Sequence, residues 1–233
     1  MTYFAEIETS PPKLTIVSKS TITPSQNSTM NDLKLTVSDL PMLSCHYIQK
    51  GCLFTRPPLA TAAVIALLKD GLATTLSHFP PLAGRLKTDA DGYVYITCND
   101  DGVDIVHAVA EHVYVGDILD QKVKDVPDVV KQFFLYDRTV SYKGHFQPLL
   151  AVMVTELVDG LFVSCSVNHS VTDGTSFWNF FNTFAEVCRG VTKITNSPEF
   201  SRSSVLISPA VLKVPDGGPA VTFNENERLR ENF

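Results

Sequence analysis

The chain has 233 residues, 44% of them hydrophobic and 19% charged. That composition suits one large globular domain or two small ones and excludes disordered, collagenous and coiled-coil classes. The formal net charge is -6, and the densest basic stretch, Arg228 to Arg230, is broken by Leu229 and flanked by Glu227 and Glu231. A nucleic-acid partner, which needs a basic face, is therefore not expected.

In chain order, Lys13 to Ser20 alternates as a strand does, and Thr23 to Met30 is a polar, Pro-containing loop. A second strand is expected at Cys45 to Ile48. Leu59 to Thr75 carries Val64, Leu67, Leu68 and Leu72 at the spacing of a helix packed on one side, interrupted but not ended by Asp70-Gly71. His78-Phe-Pro-Pro-Leu-Ala-Gly-Arg-Leu-Lys87 leads into strands near Tyr93 to Thr97 and Val103 to Ala108, and Val126 to Phe134 reads as a short helix. Leu149 to Val158 and Leu161 to Val167 are β-rich runs joined by Asp159-Gly160, where a type I′ turn would use the glycine for positive φ. A helix follows over Gly174 to Arg189, with Trp178, Phe181, Phe184, Ala185 and Cys188 on its apolar side and Gly190 placed to end it. Asn196 to Pro219 is rich in Ser, Pro and Gly and reads as an extended linker.

No targeting signal is expected. No apolar run approaches membrane-spanning length, and Met-Thr-Tyr-Phe-Ala-Glu-Ile-Glu has acidic residues where a signal peptide needs a basic flank and an apolar core. The sequons Asn27-Ser-Thr29 and Asn168-His-Ser170 then read as chance matches. Five scattered cysteines without a CxxC pair indicate neither a disulfide framework nor a structural zinc site. The expectation is a cytoplasmic protein with no membrane partner and no metal.

The chemistry concentrates in Asn168-His-Ser-Val-Thr-Asp-Gly174, between a buried strand and an aromatic-rich helix. Acyl transfer to an alcohol or amine needs a base beside the attacking group, and an imidazole titrates near neutrality. His169 is the candidate base. Asp173, four residues on, is suited to holding the loop, and Gly174 lets the backbone turn into the helix. Taken alone, a histidine after a strand is a structural residue by default, and an aspartate before a helix is an N-cap. Metal binding lacks a third ligand. GxSxG, GxxxxGK[ST] and HExxH are absent, and Cys165 reads as a buried apolar cysteine and not as a nucleophile.

The HSVTDG run, Phe79-Pro-Pro-Leu-Ala-Gly-Arg-Leu86, the Leu67 to Leu76 helix ahead of it and the Val-Asp-Gly hairpin together resemble the N-terminal half of plant BAHD acyltransferases, in order and spacing, from about Thr15 to Arg230. The resemblance implies an α/β fold: a two-layer, chloramphenicol-acetyltransferase-like domain with a mixed sheet and flanking helices, one of the two domains of the family, with a solvent channel between them. It implies an acyl-CoA co-substrate, no bound cofactor, and acyl transfer to a hydroxyl or amine of a specialised metabolite. His169 then matches the general base. Asp173 matches an aspartate that points away from substrate and pairs with an arginine, and Arg85 has a packing and hydrogen-bonding role. His46 and Tyr47, on the second expected strand, are candidates for substrate contact.

The chain departs from the family in length. Residues 1–195 correspond to the domain carrying HxxxD and residues 196–233 to the start of the interdomain crossover. The family's second half, with its Asp-Phe-Gly-Trp-Gly motif and the arginine partner of Asp173, has no counterpart, and the one Trp is Trp178. A truncated product, an alternative transcript or one piece of a longer polypeptide is expected, with His169 on an open surface. No oxyanion donor is evident, so the isolated chain is expected to be weakly active or inactive. The alternative is a truncated, non-catalytic paralogue or isoform that binds a small molecule or a partner protein through an apolar surface, with the missing C-terminal half or another copy of the chain as candidate partners. Peptide-bond condensation by an HHxxxDG domain is disfavoured, because Asn168 stands where the first His would be.

Overall fold

The two β-rich runs ahead of the HSVTDG loop are buried along almost their whole length, as strands are when both sheet faces are covered. The computed structural model, which describes residues 14–120 and 126–201, places them at the centre. The elements in order are strands β1 (Leu14–Ile22), β2 (Leu33–Lys34) and β3 (Ile48–Thr55), helix α1 (Thr61–His78), then β4 (Arg85–Thr88), β5 (Val94–Thr97) and β6 (Val103–Ala110). Short helices α2 (Val115–Ile118) and α3 (Asp128–Lys131) precede β7 (Leu150–Glu156), β8 (Gly160–Val167) and helix α4 (Gly174–Cys188).

The main sheet has the order β1-β6-β7-β8-β3. It is mixed: β6 and β7 run parallel, and the other neighbours are antiparallel. Helices α1 and α4 lie on one face. There Leu72 and Leu76 of α1 and Phe177, Phe180 and Phe184 of α4 pack with Val152 and Val154 of β7 and Cys165 and Val167 of β8. Segments around α3 cover the other face, over Ala110, Val113, Phe133, Leu157 and Phe162. A small sheet, β2-β5-β4, holds its own apolar cluster of Leu35, Leu43, Leu86, Val94, Ile96 and Leu149. A mixed α/β fold with flanking helices, as expected, is what the chain adopts.

Several local expectations change. The strand expected at Cys45 to Ile48 is β3 and begins at Ile48, three residues later than expected, and His46 makes an isolated bridge to Val140. In α1 the buried residues are Ile65, Gly71, Leu72, Thr75 and Leu76, while Leu67 is exposed. In α4 the buried side is Phe177, Phe180, Thr183 and Phe184, and Trp178 is 42% exposed. Both helices carry two overlapping apolar stripes, and the sheet selects one of them.

The hairpin also differs from its expected form. Leu157 donates to the carbonyl of Gly160, so Val158 and Asp159 make the turn and Gly160 opens β8. Gly160 is not among the positive-φ glycines. Its constraint is steric instead: a Cβ there would lie 2.3 Å from the Phe54 carbonyl oxygen on β3. Gly190, at φ +81°, does end α4 in the left-handed conformation. Among the described residues no helix is long and apolar enough to cross a membrane. The expected linker lies outside the described residues from 202 onward.

Candidate active site

The HSVTDG loop leaves the end of β8 and enters α4, and its geometry follows from what each residue can bond. Asn168 is fully buried, which also rules out glycosylation of its sequon in the folded chain. Its backbone N–H donates to Leu149 at 2.8 Å, continuing the β7–β8 ladder by one residue. Its side-chain oxygen accepts from the backbone of Ser170 (3.0 Å) and from the Ser170 hydroxyl (2.6 Å), so the chain turns back on itself. Its side-chain nitrogen donates to the carbonyl of Ser141 at 2.7 Å.

His169 is held at the backbone by the same neighbour, since its N–H donates to the Ser141 hydroxyl at 2.9 Å. The ring is half-buried, and its Nδ1 is enclosed with no hydrogen-bond partner among the described residues. His169 lines a cleft of about 570 Å³. Val171, Thr172, Asp173, Ser176 and Asn179 line it beside His169, and Leu33, Thr36, Ser38, Asp39 and Met42 line it from the N-terminal segment. Phe79, Pro81 and Leu82 also contribute.

Asp173 is the N-cap of α4, and its Oδ1 accepts the Ser176 backbone N–H at 2.7 Å. That bond from Ser176 is the main reason its carboxyl lies below the usual carboxylate range. None of the ion pairs among the described residues involves Asp173. No Cβ contact constrains Gly174.

The Phe79 to Leu86 run forms the scaffold next to the cleft. Phe79 packs edge-on against Phe180 at 5.5 Å between centroids. Gly84 is required by close approach, because a Cβ would fall 1.6 Å from the Thr97 carbonyl oxygen. Arg85 does not line the cleft, and its Nη1 donates to the carbonyls of Gly84 (2.7 Å) and Gly102 (2.8 Å).

His46 and Tyr47 are not brought to the cleft; neither lines it. His46 is exposed. Tyr47 is buried and donates its hydroxyl proton to the Pro148 carbonyl at 3.0 Å, with burial pushing its pKa up. It stands behind the loop, against the side chains of Asn168 and Gln147. Sequence reading overlooked Asn168 and Ser141 as loop-fixing residues. Asn168 offered a signal, a lone amide ending a run of buried strand residues; Ser141 offered none, being 28 residues from His169.

Residues 12–232 match the model of the Transferase family. The chain belongs to this family, that of the BAHD acyltransferases. A curated Arabidopsis thaliana protein, BAHD acyltransferase DCR, is 34% identical over 204 residues, which are 82% of this chain and 42% of that protein. An uncharacterized acetyltransferase of the same plant is 38% identical over 161 residues, 67% of this chain and 36% of its own length. Among solved structures, vinorine synthase superposes with a TM-score of 0.69 at 25% identity, covering 89% of this chain and 49% of that one. The chain thus spans less than half the length of these relatives.

Proposed function

We propose that this BAHD chain carries the general base of an acyl-CoA-dependent acyltransferase, with His169 as the base and a hydroxyl or amine of a specialised metabolite as acceptor, in the cytoplasm. The observation that carries the reading is the setting of His169. Its Nδ1 is enclosed while the residue lines a cleft large enough for a small molecule. Nε2 is then the ring nitrogen left to meet an acceptor.

In this reading the acceptor O–H or N–H proton moves to His169 Nε2 as the acceptor atom bonds to the thioester carbonyl carbon. The tetrahedral oxyanion collapses, the C–S bond breaks, and the leaving thiolate takes the proton back from the imidazolium to give free coenzyme A. Asp173 supports the step by capping α4 and fixing the loop end. Arg85 acts through the backbone of the motif beside the cleft.

The test is release of free thiol from a coenzyme A thioester, using the purified chain and a panel of alcohols and amines. Turnover that His169→Ala removes supports the reading. Turnover that survives His169→Ala shows that another group is the base. A chain that releases no thiol at any concentration favours the non-catalytic alternative.

A further inference from the structure

We propose that Ser141 and Asn168 are positioning residues that set where the His169 imidazole stands; this rests on the reading of His169 as the base. Two consecutive residues of the loop bond to one residue on a different segment. The Asn168 side chain donates to the Ser141 carbonyl at 2.7 Å, and the His169 N–H donates to the Ser141 hydroxyl at 2.9 Å. Both Ser141 and Asn168 are fully buried, at 0% exposure, so water does not compete for these bonds.

The clamp is itself anchored. The Ser141 N–H donates to the Cys45 carbonyl at 2.8 Å, and Tyr47 N–H donates to Thr139 at 3.0 Å. Ser141 opens a 3₁₀ turn, Ser141–His145. Gly144 in that turn must be small, since a Cβ would lie 2.6 Å from Asn168 Nδ2 and 2.6 Å from Leu149 Cδ2. The turn approaches the loop closely only because a glycine is there.

An ordinary loop-closing role would be met by the Asn168–Ser170 bonds alone. The bonds to Ser141 add a fixed point 28 residues away in sequence, and they hold the backbone at the Cα from which the imidazole projects. A displacement of about 1 Å at a reacting group can cost about a hundredfold in rate.

The experiment compares Ser141→Ala and Asn168→Ala with the unaltered chain, using thiol release, thermal melting and ¹⁵N-histidine NMR. Ser141→Ala removes one hydroxyl and serves if Asn168→Ala does not fold. The expected result is a kcat lower by about tenfold to a hundredfold, an unchanged KM, and a shifted His169 ring resonance. The other five histidines should keep theirs. In combination with His169→Ala neither change should lower turnover further. Unmoved His169 resonances with only a lower melting temperature, or losses that add to that of His169→Ala, would overturn the proposal. Turnover that survives His169→Ala overturns the base reading instead, while the NMR comparison still decides whether Ser141 and Asn168 position the ring. The two failures are therefore distinguishable, and the NMR readout requires no turnover.

Discussion

Asp173 Oδ1 accepts the backbone N–H of Ser176 at 2.7 Å, so the aspartate of the HxxxD motif closes the first turn of α4. Replacing an N-cap aspartate with alanine leaves a helix donor unmet and costs about 1 kcal/mol. Asp173→Ala should lose about that much in urea unfolding, and Asp173→Asn, which keeps an acceptor, much less. The bond holds the folded-state carboxyl below its usual range. The stabilisation it brings is thus fully present above the unfolded-state pKa and lost as pH falls through the folded one. The gap between Asp173→Ala and the unaltered chain should narrow in strong acid; an equal gap at neutral and strongly acid pH rules this out.

The two aromatic stripes of α4 make a second test. Phe180 is 1% exposed and faces Phe79, whereas Trp178 is 42% exposed with the Lys50 ammonium 5.5 Å from its ring. Phe180→Ala should cost about 3–5 kcal/mol by cavity formation. Trp178→Ala should cost about 1 kcal/mol or less, the worth of an exposed cation–π contact. Equal losses in chemical denaturation would show that the other stripe is buried.

Helices α1 and α4 approach each other closely at Gly71, where a Cβ would lie 2.4 Å from Cys188 Sγ. Gly71→Ala should therefore destabilise by about 1–3 kcal/mol through overpacking, despite the usual gain of about 1 kcal/mol from removing a mid-helix glycine. Gly71→Ala with Cys188→Ala should recover most of the loss. A double-mutant cycle measures this, and simple additivity of the two changes would count against the contact.

Cysteine labelling checks the burial pattern without any substitution. Burial pushes the thiols of Cys98 and Cys188 up to about 11, and that of Cys165, at 0% exposure, higher still. Thiolate is the reactive form. At pH 8 iodoacetamide should leave Cys165 unmodified in the folded chain, with Cys98 and Cys188 slow, and modify all five in denaturant. Peptide mass spectrometry reads the order; fast native labelling of Cys165 is incompatible with its place between α4 and the sheet.

Much of the candidate site could be read locally. HSVTDG between a strand and an aromatic helix, and Phe79 to Leu86 before it, are short runs recognisable from their own residues. The cap at Asp173 and the glycine stop at Gly190 follow from groups within a few residues of each helix end. Tyr47 shows what local reading does not reach. Its strand neighbourhood suggested contact with substrate, yet its hydroxyl is spent on Pro148, 101 residues away.

By itself the sequence determined most of the elements, the family and the motif that holds the proposed base, because hydrophobic period, turn residues and a compact motif are local properties. Only the tertiary structure decided which stripe of α1 and α4 is buried, why Gly160 and Gly84 must be glycine, and that Ser141 holds His169. Those depend on surfaces meeting across tens of residues, where close packing leaves no room for a Cβ and a buried N–H must find its acceptor.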